Sequence, residues 1–320
     1  RSLTMEISRR KSEISAIDTM EVVDPTTLKI ILKQPSVPLL AALSDRAGMM
    51  VSPKAAEESG QDFTNQPVCS GPYQFVEHVA QDRILLEKFT DHWRADDYNF
   101  DQLTYRGMPD SSVRLLNLRS GEIDFLERLS PTDVSTVEGD DALEVAEVTG
   151  LGYYAITFDI GGDGADEDVA KVKAVRHAFD LAIDRDAINQ VVFEGRYATG
   201  NQPFPPGSTY YDADKPVPGR DVEAAKKALE EAGVEIGIEV NVVTMELMTI
   251  LEKGRQGDFE AHLVGWSGRV DPDLNITPML SCGAAGNDAH YCNEELDQIL
   301  AEARATSDIP ARQAKYKEAT

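Results

Sequence analysis

Tyr153-Tyr154-Ala155-Ile156-Thr157-Phe158-Asp159 reads as a strand, and it runs into the acidic, glycine-rich loop Gly161-Gly162-Asp163-Gly164-Ala165-Asp166-Glu167-Asp168. The chain changes character across that loop. Before it, strands dominate. Residues 20–24 and 27–32 alternate with period two around a turn at Pro25, which predicts a hairpin. Short helices follow over 37–44 and 53–59, and then strands over 73–78, 84–89 and 103–108. Pro109-Asp110-Ser111-Ser112 supplies a turn and cap for a helix ending at Arg119. Residues 121–125 and 143–148 read as further strands, with a short helix over 131–137 between them. After the loop, Val172, Val175, Ala178, Phe179, Ala182 and Ile183 keep helical spacing, and Asp184-Arg185-Asp186 separates that helix from a second one ending at Gly195. The proline-rich passage 203–218 predicts no regular element. Helix 221–232, strand 236–243, helix 245–253 and strand 259–264 alternate beyond it, and helices 293–305 and 309–319 close the chain. This is an α/β pattern with its boundary near 159–168.

Composition narrows the classes. Among 320 residues, Lys plus Arg number 31 and Asp plus Glu 56, a net charge of 31 − 56 = −25. Such a surface repels phosphate backbones and anionic lipid, which argues against a nucleic-acid partner. Hydrophobic residues at 42% and charged residues at 27% are ordinary for a folded protein. No run approaches the roughly 18 apolar residues of a membrane span. Arg1-Ser2-Leu3-Thr4-Met5 does not read as a signal peptide, and the last residues fall inside a helical pattern. The expectation is a processed or truncated piece of something longer.

Chemistry read from the residues alone is sparse. Asp271 and Asp273 flank Pro272, and paired carboxylates suit acid–base work. Their spacing also suits a turn into a helix with Asp273 as cap. Ser267 sits in Trp-Ser-Gly, without the leading glycine of a nucleophile elbow. The five histidines are scattered. The loop 159–168 has acidic residues among glycines but lacks the EF-hand order, so an acidic surface loop is the reading rather than calcium. Asn275-Ile276-Thr277 fits a glycosylation sequon. Cys282 and Cys292 bracket a glycine-rich loop and are either a local disulfide or two reduced thiols; Cys69 is left over. No phosphate-cradling loop, cofactor motif or metal-ligand spacing is evident.

Glu21-Val22-Val23-Asp24-Pro25-Thr26-Thr27-Leu28-Lys29-Ile30, Pro67-Val68-Cys69-Ser70-Gly71-Pro72-Tyr73-Gln74-Phe75, and the stretches 83–93, 109–125, 172–195, 258–273 and 282–292 form an ordered series of phrases. Taken together and in this order, they resemble the family 5 solute-binding proteins, the dipeptide, oligopeptide and nickel-type receptors of bacterial ABC importers. The resemblance implies a two-lobed, periplasmic-binding-protein-like α/β fold of the large peptide-receptor class, with mixed sheets and a hinge that closes a cleft. Residues 1–67 would be part of an extra subdomain of the first lobe, 68–158 its central part, and 159–320 most of the second lobe. Strand 153–159 would cross the hinge. The leading part of the first lobe and the C-terminal return are missing from the pattern, and the chain shortens abruptly after Gly233.

Residue by residue, the resemblance places Glu127 and Arg128, Tyr154, and Trp266 and Ser267 at the ligand. Peptide receptors carry an Asp four residues before the turn proline, where this chain has Gly268. Asp271 or Glu127 would then have to meet a ligand ammonium, and Arg128 and Arg269 suggest a carboxylate-bearing solute. The resemblance also implies the Cys282–Cys292 disulfide and a periplasmic location. The function it implies is capture of a peptide or peptide-like solute by a monomeric receptor, with no cofactor or metal, for delivery to an inner-membrane ABC permease. Two alternatives stand beside it: a secreted hydrolase of peptides or glycosides using Asp271 and Glu127, and a metal- or metallophore-binding receptor of the same fold.

Overall fold

A computed structural model describes residues 11–161, 169–235 and 241–320. Its elements in chain order are β1 (Ile17–Asp24), β2 (Thr27–Leu32), α1 (Leu39–Ser44), α2 (Pro53–Ser59), β3 (Tyr73–Val79), β4 (Arg83–Lys88), β5 (Gln102–Arg106), α3 (Ser111–Arg119) and α4 (Val134–Glu138). They continue with β6 (Tyr153–Phe158), α5 (Lys173–Ala182), α6 (Arg185–Phe193), α7 (Val222–Glu231), α8 (Leu247–Gln256), β7 (Ala261–Trp266), α9 (Asp273–Leu280), α10 (Glu294–Ala305) and α11 (Ile309–Ala319). Every ladder among the described residues is antiparallel. The chain divides into two units: one contains residues 42–146 with the start of the chain to 15, the other 16–41 and 147–320.

The first unit is built on the sheet β3-β4-β5. Ser52 caps α2 and Asp110 caps α3, each side-chain oxygen accepting the N–H three residues on. The strand expected over 121–125 does not form. Gly121 turns the chain at φ +76°, and the amides of Gly121, Glu122 and Ile123 donate to the last carbonyls of α3, so none is left for a ladder. Residues 143–148 alternate as expected but have no pairing partner among the described residues and are not a strand.

In the second unit β1 and β2 form the expected hairpin. Val175 and Ala178 of α5 pack on Ala225 and Leu229 of α7. A second core joins Phe204, Ile276, Leu296, Leu300, Ala303 and Tyr316, so α9, α10 and α11 share one interior. Asp184 and Asp221 cap α6 and α7. The strand expected over 236–243 lies outside the described residues up to 240, and 241–243 are irregular. No helix among the described residues is long and apolar enough to cross a membrane.

Candidate functional site

The turn between β7 and α9, with the first turn of α9, holds the buried polar side chains Arg269, Asp271, Asp273 and Asn275. β6 pairs with β7 so that Tyr153 faces Trp266 and Tyr154 faces Gly265. Side chains alternate across a strand, so this register puts Tyr154 and Trp266 on opposite faces of the ribbon. The resemblance brings both to the ligand; within this unit the ribbon presents them on its two faces. Tyr154 is 63% exposed. Its ring lies across Gly265, where a Cβ would meet it at 2.9 Å, and continues a row with Phe193 and Tyr197, centroids 6.4 and 4.5 Å apart.

Trp266 turns toward α9. Its Nε1 donates to Asn275 Oδ1 at 3.0 Å, and the guanidinium of Arg269 lies 4.9 Å above its ring. Arg269 is buried, and Nη1 donates to Ser267 Oγ and to Gly268 O, both at 2.7 Å. It is built as a strut of the turn more than as an open anchor. Gly268 adopts φ +70°, and a Cβ there would fall 2.4 Å from the backbone of Leu151. The position where the resemblance implies an Asp thus has room for no side chain at all. Tyr153, on the Trp266 face, donates its hydroxyl to Asn275 O at 3.3 Å, and burial pushes its pKa up to about 12.

Asp271 is not an open carboxylate. Its Oδ1 and Oδ2 accept from Nη2 and Nη1 of Arg312 at 2.7 and 2.8 Å, inside the protein. Oδ1 also accepts the amide of Asp273, so Asp271, not Asp273 as expected, serves the start of α9. Asp273 instead accepts from Arg304 Nε and Thr277 Oγ1. The two carboxylates that suggested acid–base chemistry each fasten the turn to a C-terminal helix.

Glu127 and Arg128 belong to the first unit. Their side chains are 82% and 80% exposed and only 4.0 Å apart, too loose and too open to stabilise anything. Arg128 sits at φ +61°, with its carbonyl accepting from Arg114 Nη2 at 3.3 Å.

Cys282 and Cys292 form the disulfide implied by the resemblance, with Cα atoms 4.5 Å apart. The loop they close meets the end of β6: Ile160 N donates to Ala289 O, and His290 Nδ1 lies 2.9 Å from Asp159 Oδ1. The calcium alternative rested on a loop whose residues 162–168 lie outside those described. Among the described residues no three His, Cys, Asp or Glu side chains are placed to hold a metal ion.

His262 of β7 introduces a pH dependence. Its Nε2 is 3.9 Å from Asp288 Oδ2, and its buried Nδ1 has no hydrogen-bond partner among the described residues. Burial holds its pKa below the ordinary 6.5, against the pull of Asp288; burial raises that of Asp288. The histidine's pKa is the lower in the folded state, so the unfolded chain takes up the proton first and stability falls as pH drops below about 6.5. Asp288, protonated more readily when folded, opposes this as the pH falls into its own range. His262→Gln should flatten the fall in melting temperature between neutral pH and about pH 5; identical slopes would clear His262.

The fold is that of the two-lobed periplasmic receptors. The structure superposes on the dipeptide-binding protein of Pseudoalteromonas sp. SM9913 in complex with Met-Leu with a TM-score of 0.85, at 24% identity over 97% of this chain and 68% of that one. The DppA protein of Helicobacter pylori, bound to the peptide STSA, gives 0.84 at 24% identity, over 97% and 66%. Residues 4–236 match the model of the bacterial extracellular solute-binding proteins, family 5 (middle), and the chain belongs to that family. The dipeptide-binding protein of Escherichia coli (strain K12) is 25% identical over 95% of this chain and 63% of its own length. The glutathione-binding protein GsiB of Pectobacterium atrosepticum is 27% identical over 97% and 67%. The chain therefore spans about two thirds of the length of these relatives. The family consists of substrate-binding receptors, not enzymes, and its members are periplasmic or extracellular.

Three groups that organise the turn were not legible in the sequence as site residues. Arg304 and Arg312 lie on helices far along the chain, with only the spacing of a helix around them. Asn275 looked like a sequon, yet it is buried and its amide is spent on the backbone of Arg269.

Proposed function

We propose that this chain is part of the substrate-binding component of an ABC importer. It takes up a peptide or peptide-like solute outside the inner membrane and hands it unchanged to a permease. Family membership over residues 4–236 is the observation that carries this reading, and the relatives named for dipeptide and glutathione binding support the peptide class. A periplasmic monomer that catalyses nothing completes the proposal.

Trp266 on one ribbon face, Ser267 in the turn that follows it, Tyr154 on the other face, and Glu127 and Arg128 in the first unit are the proposed ligand groups. Arg269 and Asp271 act behind them, holding the turn. If the solute bears a carboxylate, the open guanidinium of Arg128 is the better partner. The hydrolase alternative loses its support with Asp271, since a carboxylate with both oxygens on a buried arginine has no freedom to accept a substrate proton.

Native mass spectrometry of the full-length protein, followed by calorimetric titration with di- and tripeptides, tests this. The expected result is one-to-one, saturable binding of a peptide recovered intact. Cleavage of the peptide, or no uptake of any peptide, would overturn it.

A further inference from the structure

The side chain of Asn275 makes three directed contacts with the β7–α9 turn. It stands in the first turn of α9 with 4% exposure. Its Oδ1 accepts two N–H groups, Trp266 Nε1 at 3.0 Å and the Arg269 amide at 2.6 Å. Its Nδ2 donates to Arg269 O at 2.8 Å, and its own carbonyl accepts the Tyr153 hydroxyl. One carboxamide therefore closes a two-point ring on the backbone of Arg269 while engaging the single donor of the indole. No other uncharged side chain of this length offers an acceptor and a donor side by side. Asp would set a carboxylate oxygen against Arg269 O, and Ala would leave a half-buried indole N–H and a buried amide without this acceptor.

The consequence reaches the surface. An indole whose Nε1 is bonded from behind cannot swing on its own χ angles, and Arg269 lies over the ring in a path that Asn275 sets. We propose that Asn275 is the positioning residue of the Trp266–Arg269 turn: it touches no ligand, but it selects the indole orientation and turn path against which a solute is bound. This rests on the solute-binding reading of Trp266 and Ser267. It also removes the sequon: Thr277 bonds Asp273 and Asn275 is enclosed, so the folded protein offers no acceptor there.

The test uses full-length protein with 15N-labelled tryptophan, the Trp266 indole signal being the one lost in Trp266→Phe. Met-Leu and glutathione serve as binding probes. Thr277→Ala is the control, because it removes bonds of the same helix, to Asp273 and Arg304, while leaving every bond among Asn275, Trp266 and Arg269 in place. Asn275→Ala should shift the Trp266 Nε1–H signal, speed its hydrogen exchange about tenfold or more, and weaken the bound probe about tenfold. Thr277→Ala should lower the melting temperature yet leave signal and affinity within about twofold. An Asn275→Ala protein that melts earlier but keeps both the indole exchange and the affinity of the wild type would overturn the proposal, reducing Asn275 to a stabiliser of α9. A shifted indole in a protein whose wild type binds neither probe would uphold the positioning role and overturn the peptide reading. Should the alanine variant not fold, Asn275→Asp decides. Retained indole protection with affinity reduced several-fold, through the lost bond to Arg269 O, supports the role; unchanged affinity refutes it.

Discussion

Arg312→Ala should destabilise the protein by about 3–5 kcal/mol, the scale for breaking a buried ion pair from one side. The guanidinium has five N–H donors, and all are spent: Nε on Ala303 O, Nη1 on Tyr210 Oη and Asp271 Oδ2, Nη2 on Asp271 Oδ1 and Tyr316 Oη. Its side chain is 3% exposed and that of Asp271 8%. Burial is the largest single influence and disfavours the charge, but the hydrogen bonds to Asp271 together with the electrostatic interactions with Tyr316, Asp271 and Tyr210 exceed it and raise the pKa of Arg312 above its ordinary value. Truncation leaves the buried Asp271 carboxylate without its guanidinium and with only the Asp273 amide, two tyrosine hydroxyls without their donor, and Ala303 O with only the amide of Thr306. Urea unfolding followed by circular dichroism measures the loss. The double variant Asp271→Leu with Arg312→Met should recover a large part of it, because apolar side chains of similar volume replace such pairs at little cost. A loss below about 1 kcal/mol for Arg312→Ala would place the pair in the class of surface bridges and would return Asp271 to the list of groups free to meet a ligand.

How much of this was legible in the sequence depends on how far apart the deciding residues lie. The β1–β2 hairpin was plain from Asp24-Pro25-Thr26-Thr27, and α3 from Pro109-Asp110-Ser111-Ser112, because a turn or a cap is written within four residues. Residues 121–125 and 143–148 misled because alternation reports a face without naming a partner strand. The amides after α3 are drawn to its open carbonyls, and among the described residues no neighbour pairs with 143–148. At the site, word order picked out Tyr154 and Trp266, but not their separation. That follows from the register of β6 on β7, in which Tyr154 meets Gly265, and a slip of one residue reverses the faces. Asp271 and Asp273 were visible as a pair of acids, while the arginines that claim them stand 41 and 31 residues away. No local spacing records a contact of that range.

Gly268→Ala should cost about 3–5 kcal/mol, and the size of the effect separates two causes. Left-handed backbone charges any L side chain about 1–2 kcal/mol. Gly283 isolates that part: it sits at φ +67° with nothing within 4 Å of where a Cβ would be, so Gly283→Ala should lose about 1–2 kcal/mol and no more. Gly268 has nearly the same angle, φ +70°, but its Cβ would fall 2.4 Å from the carbonyl carbon and oxygen of Leu151. Those are backbone atoms in a short connection that is itself wedged, since a Cβ on Gly152 would lie 2.6 Å from Trp266 O. The two loops interlock through their glycines, and neither can yield without pulling Trp266 from Asn275. The excess of Gly268→Ala over Gly283→Ala, read from urea unfolding of each variant, therefore measures how tightly residues 150–152 clasp the turn. Equal losses would mean that the clasp is absent. If the excess is found, Gly268→Asp must cost at least as much as the alanine variant. The acid that the family resemblance implies at this position then cannot be restored by one substitution, and the chain must meet any ligand ammonium with a carboxylate from elsewhere, Glu127 being the exposed candidate.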